Sequence, residues 1–255
     1  MRVELFSLPA IPEVHPGDVL STLIDRAMRG MGERWQEGDV IAIAQKIVSK
    51  SEGRFRCLAD IAPGTRALEI SHQCGKDARK VQAILDESTD ILRVVPAPPD
   101  GIIIARHVQG WVCANAGIDE SNLGDAEGQL LLLPLDPDAS ASRIASDIEA
   151  ESGIRPGVVI TDTFGRPWRK GLVNIALGAD GIDPFVDWVG RNDAYGRRLA
   201  VTQQALADEV AAASGLLMAK DAATPVIVLR GLSWARSDQP SCRRYVRALT
   251  EDLFQ

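Results

Sequence analysis

Apolar residues along the chain follow two patterns: short continuous runs, and residues spaced for one face of a helix. Continuous runs are typical of strands that are buried on both faces. Four runs predict strands, at 5–11, 40–44, 158–161 and 225–229. Apolar residues on either side of the turn at 96–101 predict a β-ribbon that pairs 94–95 with 102–104.

Helix-like spacing, with apolar residues three or four positions apart, predicts four amphipathic segments. They lie at 18–28, at 75–92 with an end at 86–88, at 138–153 and at about 199–218. Asp18 is the expected cap of the first helix, and Asp208 and Glu209 are expected on the solvent side of the last. Because strands and helices do not alternate regularly, we expect an α+β fold with mixed or antiparallel sheets rather than a doubly wound sheet. Residues 1–255 are interpreted as one domain, or as two interleaved subdomains.

The composition is that of an ordinary globular protein, with 255 residues, 45% hydrophobic and 25% charged. A net charge of −7 speaks against nucleic-acid binding, which depends on Lys and Arg that neutralise phosphates. No run approaches the roughly 18 apolar residues that span a bilayer, and the first residues do not resemble a signal peptide. We therefore expect a cytoplasmic protein with neither nucleic-acid nor membrane partners.

Several common sites are not supported by the sequence. The chain contains neither the GxxxxGK[ST] phosphate loop nor a GxGxxG turn that opens a helix. Its four cysteines form no CxxC pair, so a structural role is expected for them. His107 is either a base or, as for most isolated histidines, a structural residue.

A first polar cluster follows the predicted strand at 40–44. Gln45, Lys46 and Lys50 lie beside Ser49, and two cations four residues apart are suited to phosphate oxygens. The alternative is a solvated turn, since clusters of charge are usually exposed.

A second cluster spans 115–122 and contains Asp119 and Asn122. Both side chains offer oxygen atoms that suit a hard cation such as Mg²⁺. A simple Asx turn is the alternative, because Asn, Gly, Asp and Ser are common turn residues.

The third stretch, 161–171, is the most informative. Asp162 follows a predicted buried strand, and Arg166 and Arg169 come soon after it. A carboxylate beside anion-binding groups is the arrangement that phosphoryl transfer requires. We expect Asp119 and Asp162 to share cations while Lys50, Arg166 and Arg169 neutralise the substrates; Lys50, Asp162, Arg166 and Arg169 are thus the catalytic candidates. The alternative is a basic surface loop with Trp168 in the core.

Together, the stretches at 38–54, 114–122 and 161–169 resemble the coenzyme F420-0:L-glutamate ligase family, in family order and over nearly the whole chain. The resemblance implies an α+β fold distinct from P-loop and Rossmann proteins. It also implies a cytoplasmic homodimer that uses GTP and Mg²⁺ or Mn²⁺, with a monovalent cation as a further candidate. Such an enzyme joins L-glutamate to the deazaflavin cofactor precursor through an acyl phosphate and releases GDP and phosphate.

The resemblance also assigns residues. The positions that match nucleotide-binding residues are Leu8, Pro9, Ala10, Ile11, Gln45, Lys46, Lys50, Asn122, Met218, Ala219 and Lys220. Asp119 and Asp162 match the ligands of one metal, and Thr163 matches a ligand of a second.

The chain departs from the family pattern at two positions. Lys220 stands where an acid or amide is usual, and a protonated Lys cannot ligate a metal. Either a single metal binds, or Lys220 replaces part of the charge of the second. Ala248 stands where Pro is common, and we expect no fused reductase domain. Two other functions stay open: a related carboxylate–amine ligase with another substrate, and a nucleotide-binding regulator without catalysis.

Overall fold

The computed structural model describes residues 2–123, 128–219, 221 and 223–252. Within these residues the chain forms twelve β-strands and six α-helices. The strands are β1 (Glu4–Ser7), β2 (Val40–Ala44), β3 (Phe55–Cys57), β4 (Ser88–Val95), β5 (Ile102–His107), β6 (Val112–Ala114), β7 (Gln129–Leu131), β8 (Gly157–Arg166), β9 (Arg169–Asp180), β10 (Phe185–Asp187), β11 (Gln203–Ala205) and β12 (Val226–Arg230). The helices are α1 (Leu20–Gly30), α2 (Gln45–Ser51), α3 (Thr65–Cys74), α4 (Ala78–Asp86), α5 (Pro137–Ser152) and α6 (Leu206–Ser214).

A five-stranded mixed sheet forms the centre, in the order β1-β12-β2-β8-β9. Its β2 and β8 strands are parallel, and the other neighbours are antiparallel. Three smaller antiparallel sheets are β4-β5-β6, β3-β7 and β10-β11. This architecture confirms the predicted α+β class.

Both faces of the central sheet are buried, which explains the continuous apolar runs of its strands. One face, with Ile41 and Ile160, packs against α1 and α5. The other, with Ala42 and Val159, packs against α6. At Gly178 in β9, an added Cβ would lie 2.3 Å from the carbonyl carbon of Pro137, so this position must be Gly for α5 to approach the sheet.

A second group of elements packs α3 and α4 against the β4-β5-β6 sheet. Ile70 of α3, Ile84 of α4 and Ile103 of β5 form its core. The antiparallel β4–β5 pair, with Val94 opposite Ile103, confirms the predicted ribbon. Helix α3 has no counterpart in the sequence-based prediction.

Three predicted features are wrong. Helix α1 begins after Val19, and Asp18 accepts the N–H of His15 at 2.7 Å instead of capping the helix. Strand β8 does not end at Thr161, because β9 pairs with it as far as Arg166. Helix α6 is shorter than predicted, since its expected first residues belong to β11 and the segment before it.

The expected solvent position of Asp208 is also wrong. Its carboxylate accepts the N–H of Ala176 in β9 at 2.9 Å. Partial burial raises its pKa above the ordinary aspartate value. In the described part of the chain, no helix combines the length and apolarity that crossing a membrane requires.

Candidate active site

A cavity of about 770 Å³ opens where β2 ends and its pairing with β8 stops, at Ala44 and Thr161. The two strands are parallel, so the residues after Ala44 and the part of β8 from Thr161 onward lie at the same edge of this pair. Open sheets commonly bind ligands at this edge. The remaining walls come from the segment before α1, the loop around Asp119, β9 and the segment after α6.

The first wall is α2, which starts directly after β2. Gln45 and Lys50 are buried, so the alternative of a solvated turn is wrong. The amide of Gln45 is oriented by two bonds: its Oε1 accepts from Ser49 Oγ and its Nε2 donates to Asp119 Oδ2, both at 2.8 Å. Helix α2 therefore carries a fixed amide and a buried cation into the cavity.

The second wall is the loop that carries Asp119. Its backbone forms a two-way bridge with Leu131, at 2.9 Å in each direction. Lys46 Nζ donates to the carbonyl of Ser121 at 2.7 Å and lies 3.4 Å from Asp119 Oδ1. Lys80 of α4 holds the next residue, Glu120, at 2.7 Å. Contacts from Leu131, Lys46 and Lys80 thus fix the loop that carries Asp119.

Before Asp119 the backbone makes a left-handed turn. Asn115, Ala116 and Gly117 all have positive φ, at 52°, 53° and 70°. Asn115 Oδ1 accepts the N–H of Ile103 at 3.2 Å, so this side chain is bound to a neighbouring strand. A Cβ at Gly117 would lie 2.8 Å from a methyl carbon of Leu133, which explains why glycine is needed there.

The third wall is formed by Thr161, Asp162 and Thr163 of β8. The register shifts between Ile160 and Thr161, and such a bulge re-aims side chains locally. Thr163 Oγ1 donates to Asn174 Oδ1 on β9 at 2.9 Å. Thr161 is buried, and its hydroxyl has no hydrogen-bond partner among the described residues.

Asp162 also influences a cysteine. Burial, followed by the negative charge of Asp162, raises the pKa of the Cys113 thiol to about 12. All four cysteines are free of disulfides. A thiol with so high a pKa stays neutral near pH 7, so Cys113 is no candidate nucleophile.

The oxygen atoms of the cavity fit a hard divalent cation. Asp119, Asp162 and Thr163 line it and offer two carboxylates and one hydroxyl. No group of three His, Cys, Asp or Glu side chains within the described ranges is placed to hold a metal. Mg²⁺ usually binds through one or two carboxylates together with waters and substrate phosphates, which is what this donor set allows.

Ten of the residues expected at the site lie around this one cavity. They are Ile11, Gln45, Lys46, Lys50, Asp119, Asn122, Asp162, Thr163, Met218 and Ala219. Lys220 lies outside the described residues.

Five expected residues lie elsewhere. Leu8 is part of the hydrophobic core, and Pro9 and Ala10 are exposed next to it. Arg166 and Arg169 flank the tight turn between β8 and β9, and Arg166 Nε donates to the carbonyl of Gly171 at 3.3 Å. Trp168 in this turn is 80% exposed, so its alternative placement in the core is wrong.

His107 is not among the described residues that line the cavity, and its contacts are structural. It is buried, its Nδ1 accepts the N–H of Gln109 at 3.1 Å, and its Nε2 lies 3.6 Å from Glu87. Contacts with His107 and Arg54 lower the pKa of Glu87 against the opposing effect of burial.

Five polar lining residues were not identified from the sequence: Glu13, Thr161, Asn174, Asp221 and Thr224. Thr161 lies inside a stretch that was singled out, but strand alternation assigns it to the face opposite Asp162 unless the bulge is known. Asn174 lies on β9, which the apolar pattern did not predict. No local signal distinguishes Glu13 or Asp221 from other surface acids.

The fold and the cavity define an α+β protein with a candidate ligand site lined by carboxylates, hydroxyls and lysines. The sequence model of the F420-0:Gamma-glutamyl ligase family matches residues 10–231. Proteins named coenzyme F420:L-glutamate ligase are similar over nearly their full length. That of Archaeoglobus fulgidus is 41% identical, with 100% of this chain and 97% of the relative covered.

The Methanothermobacter thermautotrophicus relative is 43% identical over 93% of both chains. The Methanopyrus kandleri relative is 40% identical, with 100% of this chain and 98% of the relative covered. The chain belongs to the F420-0:gamma-glutamyl ligase family.

Proposed function

We propose that the protein is a GTP- and divalent-metal-dependent ligase that joins L-glutamate to the carboxylate of a coenzyme F420 precursor. The observation that carries the proposal is one cavity in which Asp119 and Asp162 lie with Lys46 and Lys50. Family membership supplies the substrate class, and the cavity offers both charges that a metal-bound triphosphate requires.

In the proposed reaction, a carboxylate oxygen of the precursor attacks the γ-phosphorus of GTP, and GDP leaves. The resulting acyl phosphate is then attacked at its carbonyl carbon by the amine of L-glutamate. An amide bond forms, the amine nitrogen releases its excess protons and inorganic phosphate leaves. Most of the catalysis in such a transfer comes from positioning and from neutralising charge.

Residues of α2 are suited to hold the phosphates. Lys46 and Lys50 provide two ammonium groups, and the bonds from Ser49 and to Asp119 keep the amide of Gln45 in one orientation. Ile11, Asn122, Met218 and Ala219 lie on the same cavity and are proposed to contact the nucleotide. Arg166 and Arg169 are assigned no role in the reaction, because they flank the β8–β9 turn and do not line the cavity.

Asp119 and Asp162 would hold one divalent cation, and Thr163 would be a ligand of a second. A bound Mg²⁺ or Mn²⁺ neutralises phosphate charge and polarises the phosphoryl group. The homodimer, the cytoplasmic location and a monovalent cation are also part of the proposal, and they rest on the family resemblance alone.

The test is phosphate release from GTP in the presence of Mn²⁺, the purified precursor and L-glutamate, with each component omitted in turn. The product is followed by mass spectrometry. The proposal predicts release that requires every component and a product heavier by one or more glutamyl units. Release without L-glutamate incorporation, or no release at all, would contradict it.

A further inference from the structure

Glu13 places a carboxylate in the cavity beside Lys50. The Lys50 side chain is 5% exposed, whereas that of Glu13 is 54% exposed, and the two form an ion pair. A buried ammonium group without a counter-charge is strongly destabilising. Glu13 therefore supplies the negative charge that allows Lys50 to be buried in the ligand-free protein.

The backbone fixes Glu13 in this position. It lies in the entrance segment, residues 8–19, which joins β1 to α1. The N–H of Leu8 donates to the carbonyl of Val226 at 2.9 Å, and the N–H of Gly17 donates to that of Ser51 at 2.8 Å. Leu8 and Val14 are buried in the core, so the segment is attached on both sides of Glu13.

Phosphate binding changes the charge balance around this pair. In the ligand-free protein the charges of Lys50 and Glu13 cancel. When the phosphates of a nucleotide reach Lys50, two sources of negative charge lie next to one ammonium group. A cation placed beside Glu13 then becomes favourable, since opposite charges at a few ångströms attract and the Lys50 charge is now shared with phosphate.

We propose that Glu13 changes partner during the reaction. It pairs with Lys50 in the ligand-free protein, and it binds the ammonium group of L-glutamate once a nucleotide phosphate has bound Lys50. This rests on the proposed function and assigns a substrate-binding residue to it. Glu13 is suited to the role because Asp119 is already held by Gln45 and Lys46, and Asp162 is proposed to bind the metal. Asp221 is the remaining acid on the lining among the described residues.

This exchange of partners makes the binding of nucleotide and amino acid positively cooperative. Bound nucleotide should strengthen the binding of L-glutamate, and by linkage the amino acid should strengthen that of the nucleotide by the same factor. The prediction is synergistic binding of the two substrates.

The test compares Glu13→Gln with the wild-type protein. Calorimetry with GTP and Mn²⁺, without L-glutamate, should give a dissociation constant equal to or several-fold below that of wild type, because the competing carboxylate is gone. The KM for L-glutamate should rise roughly tenfold or more, the effect of losing one charge-assisted hydrogen bond, with little change in the KM for the precursor.

Glu33→Gln is the matched control. Glu33 is also a partly exposed glutamate in an ion pair, with Arg230 at 2.8 Å, and it lies outside the described lining of the cavity. Its replacement should leave both quantities unchanged. Glu13→Asp, which keeps the charge, should retain most of the affinity for L-glutamate and verifies that the site itself is intact.

Three results would overturn the proposal. One is a weaker affinity for GTP in Glu13→Gln, and another is an unchanged KM for L-glutamate. The third is a KM for L-glutamate that rises in the variant Asp221→Asn but not in Glu13→Gln. A wild-type protein that does not incorporate L-glutamate would contradict the proposed function instead, while the GTP titration still tests the competition between Glu13 and phosphate.

Discussion

Two stretches rich in cations, 45–50 and 166–170, look alike in the sequence, and the fold places them very differently. The first forms α2, with Val48 in the core and Lys50 buried on the cavity. The second surrounds the β8–β9 turn, where Trp168 is exposed and Arg166 bonds to backbone carbonyls of the same hairpin. The comparison shows that a basic cluster lies beside a cavity when an apolar face of its own element anchors it there.

The largest effect is expected for Asp162→Asn. This exchange keeps the side-chain volume but removes one of the two carboxylates assigned to the metal. Turnover should fall by roughly two to three orders of magnitude or more, with little change in melting temperature. Steady-state kinetics and thermal melting measure the two quantities. Near-normal turnover would contradict the assignment of Asp162 as a metal ligand.

The variants Lys50→Met and Arg169→Met compare the contributions of the two basic stretches to GTP binding. Loss of the buried ammonium group should weaken GTP binding about 10- to 100-fold, because a charge-assisted bond to phosphate contributes roughly 1.5–3 kcal/mol. Arg169→Met should change it less than about threefold. Calorimetric titration of both variants measures the two affinities for GTP. Equal losses of affinity would show that the β8–β9 turn also contributes to GTP binding.

The two threonines that flank Asp162 offer a smaller, paired effect. Thr163→Val loses the hydrogen bond to Asn174 and should destabilise the protein by about 1 kcal/mol. Thr161→Val removes a buried hydroxyl without a described partner and should stabilise it by about 0.5–1 kcal/mol. Denaturant unfolding measures both changes. Equal losses of stability would show that the Thr161 hydroxyl is bonded in solution.

The smallest effect concerns pH and the partly buried Glu87, away from both basic stretches. Contacts with His107 and Arg54 lower its pKa in the folded state. A lowered pKa stabilises the fold above the ordinary glutamate pKa, and this contribution is lost as pH falls through the folded value. Glu87→Gln should therefore be less stable than wild type near pH 7, and the difference should shrink under acid. Melting curves across pH 3 to 7 measure it, and a constant difference would contradict the assignment.

The sequence predicted the central strands well because their burial on both faces leaves continuous apolar runs. Strand β2 spans Val40–Ala44 as predicted, and β12 differs by one residue at each end. Strand β9 was missed, since its first four residues are exposed and carry no such run. With β9 missing, Asp162 was placed at a strand end rather than within a hairpin.

The site was predictable where polar residues follow those strands directly, as Gln45 follows β2. It was not predictable where distant segments meet. The pairing of Glu13 with Lys50 depends on how the entrance segment is attached at Val226 and Ser51. The separation of Arg166 and Arg169 from the cavity depends on the length of a hairpin, which local patterns do not encode.

The decisive measurement is a crystal structure with a nonhydrolysable GTP analogue and Mn²⁺, because the anomalous signal of manganese locates the metal. We expect phosphates against Lys46 and Lys50, with manganese beside Asp119 and Asp162. Phosphates bound at the β8–β9 turn, against Arg166 and Arg169, would contradict this expectation.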